Sequence, residues 1–137
     1  MKITTKSRYA IRAIFAMLAL GGDKEPVSIK KISDFEDISV KYLEQLFTKL
    51  RKNKIVKSVR GTLGGYTFAR PLNEITLKDI IYSMDGPIKP VDCIDSNGCE
   101  KSSVCAVNWV WFGLKKDIDN YFERITLQKM KDMHFGA

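Results

Sequence analysis

The 137-residue sequence predicts a mainly α-helical chain with one small β-hairpin wing: a winged helix-turn-helix domain followed by a long C-terminal dimerisation helix. Three patterns carry that expectation. Leu43, Leu46, Phe47 and Leu50 fall at i, i+3, i+4 and i+7, which is one face of an amphipathic helix. After Asn53 the period changes, so that Ile55 to Arg60 and Tyr66 to Ala69 read as strands around the turn Gly61-Thr62-Leu63-Gly64-Gly65. Further on, Val107, Val110, Trp111, Leu114, Ile118, Tyr121, Phe122 and Ile125 repeat at helical spacing, a stripe longer than a small domain covers by itself.

The elements follow in order. Thr5 to about Leu20 is rich in Ala, Ile and Leu, with Tyr9, Ala13, Ala16 and Leu20 on one stripe and Ala10, Ile14, Met17 and Leu18 near another. So broad an apolar surface predicts burial on two sides, either against its own domain plus a partner subunit or later helix, or wholly inside a monomer. Gly21-Gly22 stops this helix. Ser28 opens a short helix over Val27 to Ser33, and Asp34 to Ile38 turns the chain into the next helix, for which Ser39 is the natural N-cap. Two short helices joined in this way, the second polar on its outer face, make a helix-turn-helix, and the hairpin makes it winged. Thr76-Leu77-Lys78-Asp79 is a capping box opening a helix through Met84. Gly86, Pro87 and Pro90 then forbid regular structure. The expected organisation is a winged helix-turn-helix domain over 1–85, a cysteine loop over 86–102, a dimerisation helix over 103–128 and a flexible tail over 129–137.

Length and a 45% hydrophobic content suit one ordinary core. The charge of +7 is uneven: residues 1–70 hold 15 Lys and Arg against 6 Asp and Glu, a balance of +9, whereas residues 71–137 hold 8 against 10, a balance of −2. A basic half points to a polyanion, since Lys and Arg that meet phosphates release counterions; a membrane surface is the electrostatic alternative. The apolar run from Ile11 to Gly22 is short and contains Arg12, so no spanning or targeting segment is expected and the protein should be cytoplasmic, with no small-molecule substrate.

Opposite the apolar stripe of the second short helix project Lys41, Gln45, Thr48 and Lys52, flanked by Tyr42, Glu44, Lys49 and Arg51, side chains long enough to reach base edges. With Ser39, Arg60 and Gly61 they form the predicted surface for double-stranded DNA. The hairpin glycines permit positive φ, and a tip without bulky side chains would bring Arg60 to a phosphate or a narrow minor groove. The competing reading is a merely solvated charged helix, which the preceding helix and following wing argue against. A two-fold homodimer would present two such helices to successive major grooves, on a palindromic operator.

Cys93, Cys99 and Cys105 lie within thirteen residues, with five residues in each of the two intervals between them. Soft thiolates on a Pro-flanked loop suit an iron-sulfur cluster, zinc or copper(I), although the Cys-x2-Cys spacing of zinc ribbons is missing. A metal-free thiol sensor and inert cysteines are the alternatives. A fourth ligand is needed, and Asn108 is the candidate three residues past Cys105, with Asp92, Asp95, Glu100 and the lone His134 as rivals. An enzyme using a cysteine nucleophile would need a base, and the only histidine lies near the C-terminus.

The chain resembles the IscR-like winged-helix regulators, a family that includes NsrR and CymR. The resemblance runs from Met1-Lys-Ile-Thr-Thr-Lys-Ser-Arg-Tyr-Ala10 through Tyr42-Leu-Glu-Gln-Leu-Phe-Thr-Lys-Leu-Arg-Lys-Asn53 and Ser58-Val-Arg-Gly-Thr-Leu-Gly-Gly-Tyr66 to the cysteines. It implies a DNA-binding dimer, base-reading roles for Glu44 and Gln45, a groove-reading role for Arg60, and cluster ligation by Cys93, Cys99 and Cys105. IscR-like proteins carry a histidine where this chain has Asn108. NsrR-like members use an acidic ligand where Arg8 stands here, and CymR-like members lack the cluster cysteines. The resemblance therefore implies a [2Fe-2S] centre of the IscR kind, with a [4Fe-4S] nitric oxide sensor as the alternative.

Overall fold

The computed structural model describes residues 2–91 and 106–135. Its elements are α1 (Thr5–Ala19), α2 (Ile29–Glu36), α3 (Val40–Lys52), β1 (Val56–Val59), β2 (Gly65–Phe68), a 3-10 turn (Leu72–Glu74), α4 (Leu77–Asp85), α5 (Asn108–Arg124) and α6 (Leu127–Phe135). A mainly helical chain with a two-stranded antiparallel hairpin is therefore what forms.

Helix α1 is the central element. Ala10, Ala13, Ile14, Ala16 and Met17 are completely buried, and the small alanines let neighbouring backbones approach closely. Helices α2, α3, α4 and α6 of the same chain all pack on it, so the two-sided burial expected from its sequence is met largely by later helices. Its start is fixed by Thr4, whose hydroxyl accepts the Ser7 backbone N–H at 3.2 Å.

The reading unit forms as its caps dictate. Ser28 Oγ accepts from the Lys31 N–H at 3.2 Å to open α2, and Ser39 Oγ accepts from the Tyr42 N–H at 3.1 Å to open α3. Between them Asp37 takes a left-handed conformation (φ 55°), and Ser33 Oγ donates to the Ile38 carbonyl at 2.6 Å, which sets the turn. The α3 stripe of Leu43, Leu46, Phe47 and Leu50 is buried throughout. In the hairpin Val56 pairs with Phe68 and Val59 with Gly65. The wing is docked by reciprocal backbone bonds between Val27 and Tyr66, of 2.9 and 2.8 Å. Gly65 permits this approach: at φ 153°, a Cβ there would lie 2.3 Å from the Val27 carbonyl oxygen.

The C-terminal part differs from expectation in two ways. The helix expected over 103–128 begins only at Asn108 among the described residues and stops at Arg124. Ile125 is extended (φ −94°, ψ 102°) because the backbone there pairs with another segment: Leu77 N–H donates to the Ile125 carbonyl at 2.8 Å and Leu127 N–H to the Ile75 carbonyl at 2.9 Å. Thr126 then caps a new helix by accepting the Lys129 N–H at 3.0 Å. The expected flexible tail is therefore helical as far as Phe135. Leu127 is fully buried, Met130 packs on the core, and Lys131 pairs with Asp23 at 2.8 Å.

This placement makes Leu127 a core residue. Leu127→Ala should lower the unfolding free energy by about 2–5 kcal/mol in urea titrations, as for other buried leucines; a change within about 0.5 kcal/mol would indicate that the segment is a surface tail after all.

Candidate nucleic-acid interface

The outer face of α3 carries Lys41, Glu44, Gln45, Thr48, Arg51 and Lys52, all exposed, with Ser39 exposed at its start. Not all of the predicted residues are equally open. Thr48 Oγ1 donates to the Glu44 carbonyl at 2.8 Å, so its hydroxyl hydrogen is turned back along the helix. Tyr42 is half-buried, with its ring set edge-on to Tyr9 at 5.8 Å between centroids. The Arg12 guanidinium lies 5.2 Å from the Tyr9 ring centroid and bonds to Glu36 Oε2 at 3.0 Å. Tyr42 thus braces α3 against α1 as well as lining the surface. Lys49, on the flank, is half-buried, and its ammonium is held below its ordinary pKa chiefly by the like charge of Lys6.

The wing tip is closed by the Gly64 N–H donating to the Gly61 carbonyl at 3.0 Å, with Gly61 at φ 117°. Arg60 and Gly61 are exposed where the tip begins. One expectation fails here: the tip carries a bulky side chain, because Leu63 projects from it and is 88% exposed. The glycines turn the backbone without shielding the residue between them. An apolar side chain next to Arg60 would meet the sugar walls of a groove rather than its phosphates.

Two polar junctions, absent from any sequence pattern, hold the surface in place. Asp85, the last residue of α4, accepts from Thr4 Oγ1 at 2.5 Å, Ser7 Oγ at 2.6 Å and the Thr4 N–H at 3.4 Å. Desolvation alone would raise its pKa, but the hydroxyl and backbone hydrogen bonds and the charge of Lys6 outweigh it and hold the carboxyl below its ordinary value. The other junction ties α5 to α4. Tyr82 donates its hydroxyl to Asp119, and Lys115 donates to Asp119 Oδ2 at 2.6 Å and to the Tyr82 oxygen at 3.3 Å. The bond to Asp119 is the main reason the Lys115 pKa is raised.

Helix α5 turns Trp111, Lys115, Ile118 and Phe122 inward and half-buries them, while Val110, Phe112, Leu114 and Tyr121 stay exposed and Trp109 is 70% exposed. The apolar stripe is therefore covered along only part of its width by this chain.

Cys93, Cys99 and Cys105, with Asp92, Asp95 and Glu100, lie outside the described residues. Asn108 is the first residue of α5 and is half-buried. His134 sits on α6 with its ring 4.9 Å from that of Phe15. Among the described residues no group of three or more His, Cys, Asp or Glu is arranged to hold a metal ion, and no helix is long and apolar enough to cross a membrane.

Residues 3–133 match the Rrf2 family, described as an iron-dependent transcriptional regulator. The chain belongs to the Rrf2 family. It is 37% identical over 130 residues to the HTH-type transcriptional regulator IscR of Pectobacterium carotovorum, a match covering 95% of this chain and 79% of that protein. Among solved structures, IscR of T. potens superposes with a TM-score of 0.76 at 37% identity, covering 100% of this chain and 91% of that one. CymR, the global cysteine regulator of B. subtilis, superposes with a TM-score of 0.77 at 30% identity, covering 97% and 98%. The Rrf2-family chain is thus a transcriptional regulator rather than an enzyme, with the winged-helix fold of IscR and CymR.

Proposed function

We propose that this Rrf2-family regulator is a cytoplasmic homodimer that grips a palindromic operator with α3 and the wing, and reports iron-sulfur status through a labile [2Fe-2S] cluster so as to control iron-sulfur cluster assembly genes. The observation that carries the sensing part is the place of the cysteine segment. It is strung between Asp85, which is bonded to the start of α1, and Asn108, which opens α5. A cluster bound by its cysteines would therefore act next to a residue, Asp85, that joins α4 to the start of α1.

The donor chemistry fits the group. Cys93, Cys99 and Cys105 supply three thiolates, the ligand type such clusters take, and Asn108 would complete the set with a neutral amide oxygen. Bound there, the cluster supplies iron whose retention depends on oxidants and on iron-sulfur supply. An amide oxygen holds ferric iron less firmly than the imidazole of IscR-like proteins, which favours release. The protein's own part is to position the ligands: α5 is fixed on α4 by Tyr82, Lys115 and Asp119, so Asn108 is presented from a rigid helix.

DNA reading follows from the open α3 face. Glu44 and Gln45 are exposed where base edges would lie, Ser39, Lys41, Tyr42, Thr48, Lys49 and Lys52 surround them, and Arg60 and Gly61 extend from the wing. Dimerisation is supported by the uncovered apolar width of α5, which a second copy of the same helix would cover and which then sets two α3 helices about a two-fold axis.

Protein purified without oxygen should show visible charge-transfer absorbance with matching iron and acid-labile sulfide, and Asn108→Ala should lose that colour faster in air than the wild type. A colourless, iron-poor protein even after anaerobic reconstitution would leave the metal-free thiol reading in its place. On DNA, Gln45→Ala should cost about 1–3 kcal/mol on a cognate duplex and little on random sequence, whereas Lys52→Ala should weaken both alike. Equal losses on both duplexes in the two variants would remove Gln45 from the base-reading role.

A further inference from the structure

Leu63 is the most exposed large apolar side chain among the described residues, at 88%. A single exposed leucine is ordinary on a protein surface; what sets this one apart is how firmly the chain presents it. The last strand pair is Val59 with Gly65, so the tip consists of Arg60 to Gly64 alone. The Gly64 N–H donates to the Gly61 carbonyl at 3.0 Å, which makes Thr62 and Leu63 the two central residues of a tight turn. A Cβ on Gly64 would lie 2.3 Å from the Val59 carbonyl oxygen and 2.9 Å from that of Gly61, so the backbone folds back on itself too closely to shelter a side chain beneath it. The root of the wing is held from three sides. Val27 and Tyr66 exchange backbone bonds of 2.9 and 2.8 Å, the Thr67 hydroxyl donates to the Gly22 carbonyl at 2.7 Å, and the Tyr66 ring lies 4.7 Å from that of Phe47 in α3. The place of the tip is thereby fixed relative to the reading helix.

We infer that Leu63 enters the minor groove beside the major-groove pairs met by α3, and makes the wing selective for base pairs that carry no exocyclic amino group on the groove floor. This rests on the DNA-binding reading and deepens it by naming what the wing discriminates. Lys57 on β1 and Arg60 at the start of the tip are both exposed, and their charge draws this end of the wing to a duplex. The minor groove is about 6 Å wide and walled by deoxyribose, so a two-residue turn bearing one branched apolar side chain fits where a helix does not. Its floor shows only acceptors at A·T pairs, whereas a G·C pair adds the guanine N2 amino group. A leucine against that group strips its water and offers no acceptor in return, which penalises G·C. At A·T the same side chain loses its own contact with water against the sugar walls, which favours binding.

The test uses the full chain and a duplex selected by the wild-type protein from random sequence, prepared in three versions whose pairs on either side of the α3 half-sites are A·T, inosine·C or G·C. Inosine·C keeps the major-groove edge of G·C but lacks the minor-groove amino group. The wild type should bind the A·T and inosine·C versions about tenfold more tightly than the G·C version. Leu63→Ala should abolish that preference by weakening the first two, with the salt slope unchanged because no phosphate contact is lost. Leu63→Met, apolar and of similar volume, should keep the preference. Equal affinity of the wild type for all three versions, a preference that survives in Leu63→Ala, or parallel weakening of all three by that substitution would overturn the inference and leave the α3 reading intact. Failure of the wild type to bind any duplex would overturn both.

Discussion

Close packing around α1 is the constraint on which the other elements depend. Ala10, Ala13 and Ala16 are buried without residual exposure, and α2, α3, α4 and α6 all rest on the same helix. A methyl-sized side chain at these positions sets how near each neighbour can come, and any larger group would have to displace α3 or α4. The orientation of the reading helix is therefore a property of α1 as much as of α3. The edge-on contact of Tyr9 with Tyr42 and the Asp85 junction at the start of α1 fix the same relation from two further points.

That arrangement explains how a segment remote from α3 would influence it. The cysteine segment departs from the end of α4, one residue after Asp85. Asp85 belongs at once to α4, through its backbone, and to α1, through Thr4 and Ser7. At the other end the segment leads into α5, which is locked to α4 by Tyr82, Lys115 and Asp119. The residues flanking the segment on both sides are thus attached to α4, the helix through which the proposed cluster binding would act. Ligand energy shifts such an equilibrium only as far as the two arrangements hold the ligand differently.

Much of this fold was legible in the sequence, and the rest was not for physical reasons. Local signals were reliable: the α3 stripe, the Ser28 and Ser39 caps, the Thr76–Asp79 capping box and the glycine-turned hairpin all form where their residues predict. Long-range polar contacts carry no periodicity, so nothing in the sequence paired Asp85 with Thr4 and Ser7, or Tyr82 with Asp119. The break at Ile125 was hidden because the apolar spacing of α5 runs straight through it, and only backbone pairing with Ile75 and Leu77 ends the helix. Thr126, a good N-cap, was the one local sign of α6. Leu63 was overlooked among glycines, although a tight turn leaves its side chain nowhere to go but outward. For the reading surface, residue type and spacing sufficed to put Lys41, Gln45 and Lys52 on an open face, but not to show that Tyr42 braces α1.

Asn108 stands where IscR-like proteins carry a histidine, and in the proposed centre a helix-borne amide would be a weaker fourth donor than an imidazole and would tune it toward loss. The most direct test of the central claim is a titration of one selected duplex with cluster-loaded and cluster-free protein, side by side and without oxygen. The account predicts binding curves that differ in affinity or in preference between the selected and scrambled duplexes. Superimposable curves would contradict it, leaving a duplex-binding protein whose cysteines have no say in where it binds.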